Sequence, residues 1–253
     1  MNKSLFFTII SAIVMLFFIS CGPALEVRKN QEEASRKLGE AYMAEGNLTA
    51  ALNELLNAQK LYDEDPLLHM DLGLAYMGKK KADLSIEHFK KAIKLSPGFA
   101  AAQNNLGTAY LTKKEWDKAI EIFSELKENI LYATPHYPLT NLGWAYYNKN
   151  EYNNAEKYFK EALKLEPEFA LAMRGLGLTY MAQNQAENAV TTFEKALKTA
   201  PRFLRVYIDL ATAYQIAGNR KKAVETCKKA LELTKDNHPA LADEINEKLK
   251  LLQ

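Results

Sequence analysis

Two thiols and four imidazoles are the side chains of this 253-residue chain best suited to chemistry: Cys21 and Cys227, with His69, His88, His136 and His238. A thiol attacks, ligates metal, pairs or accepts an acyl group, and an imidazole holds a metal or moves a proton. The histidines read as falling in different repeats of the chain, with no ligand-like cluster of spacing, which points to no metal site. There is no phosphate-cradling glycine loop, nucleophile elbow or CxxC pair, and the "NLT" at Asn47 has only the form of a glycosylation acceptor. The expectation is a protein that is not an enzyme, with no cofactor and no small-molecule substrate.

Cys21 follows an apolar run, Leu5 to Ile19, relieved only by Thr8 and Ser11 and preceded by Lys3. Fifteen helical residues rise about 22 Å, short of the roughly 30 Å hydrocarbon core, so a cleaved leader fits better than a permanent anchor ending at Cys21. "FISCG" resembles the lipobox of bacterial lipoproteins, with Phe18 where Leu is usual. The resemblance implies a signal peptide over 1–20, acylation of Cys21, and, with Gly22 rather than Asp next, passage to the outer membrane. Each buried methylene adds about 0.8 kcal/mol, so several acyl chains would hold a protein body at the bilayer. Residues 21–31 then read as the acylated cysteine and a short tether. With Cys21 consumed, Cys227 has no partner for a disulfide and reads as a small buried hydrophobe.

The remaining elements are set by a repeat. "LGEAYMAEG", "LGLAYMGKK", "LGTAYLTKK", "LGWAYYNKN", "LGLTYMAQN" and "LATAYQIAG" recur with Gly39, Gly73, Gly107, Gly143, Gly177 and Ala211 at steps of 34, 34, 36, 34 and 34. Twelve residues after each stands Ala51, Ser85, Ala119, Ala155, Ala189 or Ala223. Leu55, Phe89, Phe123, Phe159, Phe193 and Cys227 follow four later, and Pro97, Pro167 and Pro201 close three repeats. Small residues let two helices approach, a large one fills the space beside them, and proline stops the second helix.

This period resembles the tetratricopeptide pattern of two antiparallel helices per repeat. It implies an all-α tetratricopeptide-repeat solenoid, wound as a right-handed superhelix, with six repeats at 32–65, 66–99, 100–135, 136–169, 170–203 and 204–237. Residues 238–253, with Leu241, Ile245, Leu249 and Leu252 at near-helical spacing, read as a capping helix over the last apolar face. The two extra residues fall in "KENILYATPHYP".

In such a stack the first helices line a concave face. Their inward positions, with the Asn141 amide beside them, give a candidate partner-binding groove: Met70, Leu74, Met77, Asn104, Leu111, Asn141, Trp144, Tyr147, Arg174, Leu178 and Met181. Met and aromatic side chains offer adaptable contact area for a helix or an extended segment. The competing reading is that Trp144 and Tyr147 pack internally. A clamp for acidic peptide C-termini is interrupted by Met70 and Asp71, while Arg174 and Arg205 either meet an acidic rim on a partner or are simply solvated. The 33 basic and 31 acidic residues nearly cancel, which advertises no nucleic-acid track.

Leader, repeat number and length together resemble the type IV pilus biogenesis and stability lipoproteins, or pilotins. That resemblance implies a lipid-anchored outer-membrane protein with its repeats in the periplasm, which helps secretin subunits localise and assemble. The alternative is a tetratricopeptide lipoprotein adaptor for cell-wall enzymes or for another outer-membrane assembly.

Overall fold

The computed structural model describes residues 3–128, 134–234 and 239–252, with side chains from residue 24 onward. Among the described residues there are thirteen α-helices and no strand: α1 (Lys3–Ala44), α2 (Leu48–Leu61), α3 (Pro66–Gly78), α4 (Ala82–Leu95), α5 (Ala100–Thr112), α6 (Trp116–Lys127), α7 (His136–Asn148), α8 (Tyr152–Leu165), α9 (Ala170–Ala182), α10 (Ala186–Thr199), α11 (Leu204–Ile216), α12 (Arg220–Thr234) and α13 (Pro239–Leu252). The fold is all-α, of the tetratricopeptide solenoid class. The chain divides into an N-terminal unit, residues 1–113, and a C-terminal unit, residues 114–253. In the first, α1 pairs with α2 and α3 with α4, and α5 packs on α4. In the second, α7 pairs with α8, α9 with α10 and α11 with α12, with α6 against α7 and α13 against α12.

The repeated residues carry out the packing their spacing predicts. Phe89, Phe123, Phe159 and Phe193 are fully buried, as are Ala51, Ala119, Ala155, Ala189 and Ala223. Each such ring contributes about 2–3 kcal/mol by leaving water. Phe159 lies between two first helices: a Cβ added at Gly143 would come within 2.6 Å of its ring, and one at Gly175 within 2.2 Å. Cys227 takes the same place in the last repeat, is 2% exposed, and has its thiol pKa raised by burial.

The turn between paired helices is a left-handed cap. Gly46, Lys80, Lys114, Asn150, Asn184 and Gly218 all have φ between 59° and 78°. Within these turns the tyrosine of the repeated motif lends its carbonyl to the closing bond, from Lys81 N to Tyr76 O at 2.9 Å and from Gln185 N to Tyr180 O at 2.8 Å. Asn47 caps α2 through Ala50 N at 3.2 Å, and Asp65 caps α3 through Leu67 N at 2.9 Å, with Pro66 as the first helical residue.

One expectation is revised. The stretch read as a tether is helical: α1 runs on through residues 24–31, where Ala, Leu, Glu, Arg, Lys and Gln are good helix formers. Arg28 Nε donates to Leu61 O at 3.0 Å, and Lys29 Nζ stands 4.8 Å from the Tyr62 ring centroid, so the packed body begins ahead of residue 32. Much of the longer turn in "KENILYATPHYP", residues 129–133, lies outside the described residues, as do the side chain of Cys21 and His238. Among the described residues no helix is long and apolar enough to cross a membrane.

The final helix caps its neighbour. Ile245 and Leu252 of α13 are buried, and Leu241 and Leu249 pack against the same core. The Arg205 guanidinium meets both Glu244 carboxylate oxygens at 2.8 and 2.7 Å, and Arg220 Nε donates to Leu252 O.

Candidate functional site

Every groove residue singled out from the sequence is half-buried: Met70, Leu74, Met77, Asn104 and Leu111 in the N-terminal unit, and Asn141, Trp144, Tyr147, Arg174, Leu178 and Met181 in the C-terminal unit. A face merely solvated would stand open, and one filled by its own side chains would be closed.

The C-terminal unit shows how its part is built. Helix α7 places Trp144 and Tyr147 one turn apart, with rings edge to face and centroids 5.8 Å apart. The inner edge of Trp144 meets the buried Phe159 ring at 5.4 Å, and Tyr147 tilts against Tyr152 at 5.8 Å. From α9, the Arg174 guanidinium lies over the indole at 5.8 Å, while its Nε donates to Asp209 Oδ2 of α11 at 2.6 Å. Leu178 and Met181 extend the apolar patch against the same core. The internal-packing reading therefore holds in part: each ring packs against side chains of this chain and each stays partly exposed.

Charge tunes this patch. Burial raises the Asp209 pKa, against which the Arg174 charge and hydrogen bond act. Burial also raises the Tyr147 pKa, helped by Tyr152 and Asp209, so its hydroxyl stays neutral and able to donate or accept. Arg174 and Arg205 are each paired with a carboxylate of this chain, Arg174 in a largely buried pair and Arg205 in an exposed one.

In the N-terminal unit the structure assembles a cluster that the sequence reading missed. Arg36 of α1 is nearly buried and faces four carboxylates. Asp71 Oδ2 of α3 lies 3.3 Å from its Nη1, Asp65 Oδ2 3.3 Å from its Nε, and Glu32 Oε1 4.0 Å from its Nε; Glu40 also pairs with Nη1. Burial raises the pKa of Glu32 to about 7, with Asp65 adding to the effect and Arg36 opposing it. Burial raises Asp71 likewise to about 7, reinforced by a hydrogen bond and repulsion from Glu40. The legible signal was a spacing: Arg36 precedes Asp71 by 35 residues, as Arg174 precedes Asp209.

The histidine expectation is also corrected. His69 and His88 belong to one repeat, on α3 and α4, and their Nδ1 atoms approach to 3.0 Å. His69 Nε2 donates to Asp63 O at 3.0 Å. His88 stacks between His69 and Tyr76, with ring centroids 5.3 Å away on each side, and burial lowers its pKa, with the His69 charge acting in the same direction. Among the described residues no group of three or more His, Cys, Asp or Glu is placed to hold a metal ion.

A tetratricopeptide-repeat family model matches residues 36–100 and 140–202, which is half of the chain, and a second model of the same description matches 98–168. The chain belongs to the tetratricopeptide-repeat family. A model described as regulator of microtubule dynamics protein 1-3 also matches residues 181–253 of this tetratricopeptide protein. No curated protein matches it in sequence. Among solved structures it is similar to PilW, described as a widely conserved type IV pilus biogenesis factor, with a TM-score of 0.75 and 21% identity over 86% of this chain and 98% of that one. PilF of Pseudomonas aeruginosa aligns with a TM-score of 0.68 and 18% identity, over 87% of this chain and 99% of that one. MamA aligns with a TM-score of 0.54 and 30% identity, over 65% of this chain and 95% of that one.

Proposed function

We propose that this tetratricopeptide protein is a scaffold that binds a partner noncovalently and assists secretin localisation and assembly in type IV pilus biogenesis. The observation that carries the binding role is the Trp144–Tyr147 pair. Trp144 packs against Phe159 and Arg174, and Tyr147 against Trp144 and Tyr152, yet both rings are only half-buried, and Leu178 and Met181 pack against the same core. Rings pre-positioned in this way lose little side-chain freedom when a partner covers them, which is the usual make-up of a binding hot spot. The pilus assignment draws on the lipobox-like start at Cys21 and on a fold like that of PilW and PilF along nearly their whole lengths. In this reading acylated Cys21 holds the protein at the outer membrane with its repeats in the periplasm, and anchoring raises the local concentration of the bound partner.

The test combines envelope crosslinking with a double substitution. Affinity capture of the full chain should recover a secretin. Trp144→Ala with Tyr147→Ala should weaken capture at least about tenfold, the loss of roughly 1.4 kcal/mol expected when hot-spot rings are removed. A thermal melt taken alongside should show helicity largely retained. Unchanged capture by the double variant would end the binding role of these rings, and capture of cell-wall enzymes in place of a secretin would redirect the assignment.

A further inference from the structure

A cavity of about 330 Å³ opens in the N-terminal unit between the Lys29–Arg36 stretch of α1 and the Tyr62–Leu67 connection into α3. It is set apart by an unfinished bond. Glu32 lines it, its side chain is only 4% exposed, and its Oε1 has no hydrogen-bond partner. The nearest cation, Arg36, lies 4.0 Å from that oxygen and is divided among Glu40, Asp65 and Asp71 as well. Its own Nε faces Asp65 at 3.3 Å without the alignment of a hydrogen bond. One buried guanidinium thus serves four carboxylates.

An unsatisfied buried acceptor in an acidic setting costs free energy that a donor carrying positive charge would recover. The rim already displays the matching chemistry, with the Lys29 ammonium over the Tyr62 ring and Arg28 donating to Leu61 O. Neither of these supplies a bond to Glu32 Oε1. Arginine suits the gap better than lysine. Its planar fork can bond two carboxylates at once, here Glu32 and Asp65, and it sheds water more readily than an ammonium.

We propose that this cavity is a receptor for an arginine side chain of a partner polypeptide, with Glu32 and Asp65 as its carboxylate ligands and Tyr62 as its aromatic wall. The inference stands apart from the groove of the C-terminal unit and from where in the cell the protein acts. It also carries a pH signature. Glu32 and Asp71 are held near neutrality by burial, so an incoming cation must displace protons from the cluster and binds better as pH rises. The groups facing Glu32 and Arg36 are Glu33 and Glu40 on α1, Asp65 at the start of α3 and Asp71 within it.

The experiment titrates the full chain, kept in mild detergent, with N-acetyl-arginine amide and follows saturable binding by NMR at pH 8 and pH 5.5. Binding should be about tenfold tighter at pH 8, since a carboxyl with a pKa of about 7 is mostly protonated at pH 5.5. Glu32→Gln should weaken it about tenfold at pH 8 with the circular dichroism spectrum unchanged. Asp65→Asn, which keeps the cap on α3, should weaken it too and serves if the first variant misfolds. The neutral citrulline amide should not bind. Absence of saturable binding, equal binding of citrulline, or wild-type affinity in both variants overturns the proposal.

Discussion

At the scale of single residues, two kinds of tolerance differ sharply. Phe159 is enclosed by Gly143 and Gly175, and a methyl at Gly175 would stand 2.2 Å from the ring's Cζ, closer than any relaxed contact. Gly175→Ala should therefore destabilise the C-terminal unit by about 1–3 kcal/mol, the usual cost of overpacking, read as a lower denaturant midpoint. The Arg36 cluster responds to protons instead. Glu32 and Asp71 have folded-state pKa values near 7, above the roughly 4 of the unfolded chain, so the folded state binds more protons between those limits. Their contribution is best at or below about pH 4 and is lost as pH rises through 7. Glu32→Gln should match wild type in thermal midpoint near pH 4 and exceed it at pH 8; a constant difference across that range would refute the linkage.

At the scale of the element, the turns are the adjustable parts. Lys80 and Lys114 sit at φ near 60°, where a Cβ crowds the backbone, while Gly46 and Gly218 hold the equivalent place in other repeats. Lys80→Gly should raise stability by on the order of 0.5 kcal/mol, because relief of the left-handed strain outweighs the added freedom of the unfolded chain. A fall in the melting temperature would show that the strain is already absorbed. These turns also show what was legible in the sequence. The motif from Leu72 to Tyr76, and its copies, declared where paired helices lie and which rings they bury, because both depend on neighbours close in the chain. Contacts across repeats were not legible in the same way. Arg174 meets Asp209 and Arg36 meets Asp71 only when successive first helices lie side by side, and His69 finds His88 only when α3 folds back on α4. The stretch read as a tether failed for a simpler reason: its polar composition suits a solvated helix as well as a linker.

At the scale of the whole molecule, the candidate groove was recognisable as a set of positions, while its half-buried character came only from the packing of each unit. The pilus reading makes Cys21 the residue that decides location and leaves it no part in the repeats. Cys21→Ser should leave the helical signal and melting temperature of the body unchanged, yet move the protein from the membrane fraction to the soluble one. Retention of that variant on membranes, with acyl label still incorporated, would reject lipidation at this position.

The two arginine–aspartate pairs join the first repeat to the second and the fifth to the sixth. A descendant that lost or gained a single module at either seam would strand one charge without its mate, whereas copying or trimming elsewhere would leave both couples intact. Length variation in this lineage is thus expected to concentrate in the middle of the array, and comparing the sizes of natural variants at those two joints would reveal it.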